Sequence, residues 1–97
     1  MGDNPTFVYT ILRTAGDGAG QVIAGVHNLY WISCNPSLAA SEWALSDDTD
    51  GLSDTLIEHH HPDRESHNTN LMPPMQFTKG IYLKTMTNMT SMTFGYV

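Results

Sequence analysis

The chain has 97 residues, a formal net charge of −6, and only four basic side chains: Arg13, Arg64, Lys79 and Lys84. Phosphate contacts need clustered Lys and Arg, so neither nucleic acid nor an anionic membrane surface is expected as a partner. No apolar stretch approaches the roughly 18 residues that a membrane-crossing helix needs.

The length suits one domain spanning residues 1–97, and a domain this small has a thin margin of stability. Cys34 is the single cysteine, so no intrachain disulfide is available. It lies in an apolar run and is expected to pack as a small hydrophobe. Oligomerisation or a metal is then the expected supplement to the core. Charged residues make up 14% of the chain, against about 25% in an ordinary globular domain. A surface so poor in charge has little to keep it monomeric. The first residues, Met1 to Pro5, show no basic and apolar signal-peptide pattern, so a reducing cytosol is the expected place of synthesis.

The elements follow in chain order. Residues 1–6 are polar with a proline and form a candidate N-terminal arm. Phe7 to Ala15 alternates with β-branched and aromatic residues, which predicts a strand. The glycines from Gly16 to Gly20 make a mobile turn. Gln21 to Val26 is a second short strand. Leu29 to Cys34 is the most apolar run and predicts a central strand buried on both faces. Asn35-Pro36-Ser37 ends it. Residues 38–41 form one helical turn or an irregular link. Glu42 to Ser46 predicts a strand with Trp43 and Leu45 on one face. Asp47 to Gly51 is a turn. Thr55 to His61 is a strand, and Glu65 to Met72 another. Pro73 and Pro74 are expected to break it and leave an edge, Met75 to Phe77, behind them. Ile81 to Thr87 and Ser91 to Val97 close the chain as a hairpin, with Met92, Phe94 and Tyr96 on one face. The pattern predicts an all-β fold of about eight short strands: a single antiparallel β-sandwich, with the jelly roll as one form of it.

Two motifs invite a metal. His59 and His61 share one face of a strand, as two ligands should, and His67 could stand opposite. One His-x-His without a fixed partner is weak, so no metal and no cofactor is expected, with His59, His61 and His67 as the candidates if one exists. Asp48, Asp50 and Gly51 fit part of a calcium loop. Its first ligand is Ser46, however, and Ile57 stands where the bidentate Glu belongs. Turn chemistry accounts for these carboxylates. No nucleophile elbow or phosphate loop is present, and no enzyme is expected. Five methionines crowd the last 26 residues. Those around Met72-Pro73-Pro74-Met75 mark a protein-contact edge.

The order of elements over residues 29–97 resembles small β-sandwich proteins of tailed bacteriophages. The resemblance rests on Leu29-Tyr30-Trp31-Ile32, then Trp43 to Asp48 with its acidic turn, then Thr55-Leu56-Ile57. Met72-Pro73-Pro74-Met75-Gln76-Phe77, Lys79-Gly80-Ile81-Tyr82 and the closing Met92 to Tyr96 complete it. Residues 1–28 lie outside it. It implies a non-enzymatic virion structural protein of the capsid decoration (cement) type. Such a protein is a homotrimer on the capsid surface, assembled in the host cytoplasm. It grips neighbouring major-capsid subunits or another virion protein. The contact residues expected on this view are Phe7, Tyr9, Met72, Pro74 and Met75. Two rivals stand beside it. One is a carbohydrate- or receptor-binding module of a fibre or tail, with Trp31, Trp43, Tyr82 or Tyr96 stacking on sugars. The other is a small metal-dependent enzyme using the His-rich strand.

Overall fold

The computed structural model describes residues 8–97. They form eight strands: β1 (Tyr9–Thr14), β2 (Gly20–Ala24), β3 (His27–Pro36), β4 (Ser41–Asp47), β5 (Ile57–His61), β6 (His67–Phe77), β7 (Gly80–Thr87) and β8 (Met89–Tyr96). Among the described residues, no helix is long and apolar enough to cross a membrane. Strands pair antiparallel as β1·β8, β2·β7, β3·β6 and β4·β5. The first four strands thus run against the last four, like the arms of one long hairpin. Rolling that hairpin makes two four-stranded sheets, β1-β8-β3-β6 and β2-β7-β4-β5. This is the pairing of a jelly roll, and the β-sandwich expected from the sequence is present.

Period-two alternation decides the core. Leu29, Ile32 and Cys34 on β3 and Met92, Phe94 and Tyr96 on β8 face Trp43 and Leu45 on β4 and Ile81 and Leu83 on β7. All are buried. Each large aliphatic or aromatic side chain buried in this way contributes about 1.5–3 kcal/mol.

Two expectations need correction. β3 is central, between β8 and β6, but it is not buried on both faces. Trp31 and Ser33 point outward and are half-exposed, because no layer covers that face of the sheet. The prolines do not end β6. The strand continues to Phe77, and residues 71–74 form a bulge opposite Tyr30, between the pairs Trp31↔Asn70 and Leu29↔Met75. An edge strand tolerates this because the missing proline N–H groups are not needed by a neighbour. Of the two alternatives for residues 38–41, the irregular link is the one present: residues 37–40 bend, and Ala40 takes a left-handed φ of 59°.

The acidic turn after β4 is structural. Asp47 accepts hydrogen bonds from the amides of Thr78, Lys79 and Gly80 and from the Thr78 hydroxyl. Burial by itself would raise its pKa, but these four donors outweigh that and lower it to about 2. Asp48 accepts from the amides of Gly51 and Ser53 and from the Ser46 hydroxyl. Gly51 holds φ at 76°, which the turn requires. These carboxylates tie loops together and leave little to offer a cation.

Candidate functional site

The histidines do converge. β5 lies at the edge of one sheet and β6 at the edge of the other, and the chain passes between them at residues 62–66. That crossing brings His61 from β5 against Cys34 of β3 and His67 of β6. Cys34 Sγ is 3.6 Å from His61 Nε2. The His61 and His67 rings stack with centroids 4.2 Å apart and planes 25° apart. His59 lies on the same side of β5, stacked at 5.9 Å on the buried indole of Trp43. His61 and Cys34 are fully buried, at 2% and 1% exposure.

The arrangement is a stack, not a ligand shell. His59 Nδ1 sits 3.3 Å from one ring nitrogen of His61 and 3.1 Å from the other. In the ring plane, such a position would collide with ring carbons. The nitrogen therefore lies over the imidazole face, and the lone pairs of the two rings do not meet at a common point. Among the described residues, no three His, Cys, Asp or Glu side chains are placed to hold a metal ion. His67 Nε2 is instead engaged by Asp63 at 2.9 Å.

The stack has its own electrostatics. Burial, then the neighbouring His59 and His67, push the His61 pKa down, while Asp63 pulls it back up. Burial likewise pushes the Cys34 thiol up, against a hydrogen bond from the His67 backbone. A neutral imidazole beside a protonated thiol is an unreactive pair. Beside it, the Ser41 hydroxyl and the Trp43 indole N–H are buried without a hydrogen-bond partner among the described residues.

The expected contact residues scatter. Phe7 and the proposed arm, residues 1–6, lie outside the described residues. Tyr9 is on the edge strand β1 and 62% exposed, with Leu12 of the same strand at 60%. Met72 stands at the tip of the β6 bulge, 90% exposed, while Pro74 is half-buried and Met75 packs against the core. Edges β1 and β6 lie on opposite sides of one sheet. Of the rings considered for stacking, Trp43 and Tyr96 are in the core, and Trp31 and Tyr82 are half-exposed.

The outer face of sheet β1-β8-β3-β6 carries a feature that the sequence did not single out. Trp31, Ser33, Asn68, Asn70 and Thr93 line a shallow depression of about 450 Å³. Only Trp31 had been weighed for binding. The others are polar residues on three adjacent strands, and their meeting depends on register between distant segments. No family model, curated protein or solved structure matches the chain.

Proposed function

We propose that this is a non-enzymatic virion structural protein of the capsid decoration type, which grips neighbouring major-capsid subunits. The observation that carries this reading is where apolar side chains on strands remain outside the core, apart from Val26, Leu38, Leu52 and Leu56, which are exposed in loops. Tyr9 and Leu12 lie along β1, an edge strand with one backbone side unpaired among the described residues, and Val8 just precedes it. Such a strand accepts a partner segment by backbone pairing. On the other edge, Met72 offers a flexible apolar contact at the bulge, where prolines prevent strand addition. Two unlike edges suit a subunit that bridges two neighbours. Repetition of modest contacts over a symmetric shell supplies avidity. The scarcity of charged residues fits a surface meant to be covered.

The test is cosedimentation with capsid shells lacking the protein. The intact chain is expected to pellet with shells. Tyr9→Asp with Leu12→Asp and, separately, deletion of residues 1–6 are expected to weaken this at least about tenfold. Unchanged binding by both variants defeats the edge reading. Native mass checks the trimer expected of it.

A further inference from the structure

We propose that the outer face of sheet β1-β8-β3-β6 is a binding platform for a neutral oligosaccharide, with Trp31 as its stacking surface and Asn68 and Asn70 as its hydroxyl readers. Register sets the layout. Trp31 on β3 pairs with Asn70 on β6 and with Gly95 on β8; Ser33 pairs with Asn68 and with Thr93. The five side chains of the depression therefore form two adjacent rows across three strands.

Gly95 makes room for the indole. A Cβ at that position would clash with the Trp31 ring, against Cε2, Nε1 and Cδ2. Trp31 thus rests over the sheet backbone instead of standing away from it, and it remains half-exposed. An aromatic ring backed by backbone on one side offers its other surface to a ligand at little entropic cost.

The polar groups beside it are free. Among the described residues, Ser33, Asn68, Asn70 and Thr93 form no side-chain hydrogen bond within the chain. The next row differs: Asn35 donates to Ser91 Oγ at 2.9 Å and accepts from Ser66 Oγ at 2.6 Å. Each free amide offers both donors and an acceptor, and each hydroxyl one of each kind. Sugar hydroxyls need that mixture.

Charge and size narrow the ligand class. No lining residue is charged. An acidic chain of net charge −6 repels anionic ligands, which removes stacked nucleotides and acidic glycans. A depression of about 450 Å³ takes a few sugar rings and is small for a protein surface.

Two tryptophans make the test direct, because Trp43 is buried and Trp31 is not. Maltohexaose, cellohexaose, fully N-acetylated chitohexaose and a neutral mannan oligosaccharide are titrated against the full-length protein. Emission shift and acrylamide shielding are the readouts. At least one sugar is expected to give a saturable blue shift. Trp31→Ala is expected to abolish it, and Asn68→Ala with Asn70→Ala to weaken it about tenfold. Tyr9→Ser and Met72→Ser, which alter the edges proposed for capsid contact, are expected to leave it unchanged. If Trp31→Ala does not fold, the double asparagine variant carries the test. No saturable response to any of the four sugars overturns the proposal. So does a response that the asparagine variant keeps in full. Shielding of Trp31 by raised protein concentration alone would assign the face to a second copy of the chain.

Discussion

Strands β3 and β6 carry opposite chemistries on their two faces. Inward, Cys34 and His67 meet His61, residue types that a sequence search marks as reactive. Outward, Trp31, Ser33, Asn68 and Asn70 are individually ordinary. Yet the inward groups are engaged, Cys34 and His61 buried against each other and His67 paired with Asp63, while the outward groups are uncommitted. Availability, rather than residue type, separates structural chemistry from a surface that can bind.

The comparison can be broken first at His61. If the stack is core, His61→Ala should cost about 2–3 kcal/mol, seen as a lower urea midpoint with the slope retained. A loss under about 0.5 kcal/mol would make the stack a surface feature. Next is Gly95→Ala, where the added methyl must displace the indole. About 1–3 kcal/mol of destabilisation and a red-shifted Trp31 emission are expected; unaltered emission would contradict the packing of ring on glycine.

Acid offers a smaller and graded effect. The folded His61 pKa is depressed below its ordinary value of 6.5. Above that pH both states are neutral and His61 adds nothing to the pH dependence. As pH falls below 6.5, the unfolded chain takes up a proton that the folded chain resists. Stability therefore drops, by at most about 1.4 kcal/mol per pH unit, until the folded pKa is passed. Urea melts between neutral pH and pH 5 should show the slope, and His61→Asn should flatten it. The smallest effect belongs to the outer face: Ser33→Ala and Asn68→Ala should each change stability by under about 0.5 kcal/mol. A larger loss from either would mean that these groups are structurally engaged.

The strands were legible because alternation and turn residues act locally. Met92, Phe94 and Tyr96 were assignable to one face from spacing alone, and all three are buried. His59 and His61 were likewise placed together by the two-residue period of a strand. The sequence reading failed where a neighbouring layer decides burial. An apolar run at residues 29–34 looks the same whether one face or both are covered. Pro73 and Pro74 look like a stop signal until their strand lies at an edge, where a bulge accommodates them.

By itself the sequence determined the all-β class, the approximate strand positions, the acidic charge and the absence of an intrachain disulfide, since each follows from composition or from contacts a few residues apart. The tertiary structure alone decided which histidine faces Cys34, why Gly95 must lack a side chain, and that Asn68 and Asn70 stand beside Trp31 and Thr93. Those juxtapositions come from pairing segments 25 residues or more apart in the chain. Register over such separations is set by the whole core at once, and no local pattern encodes it.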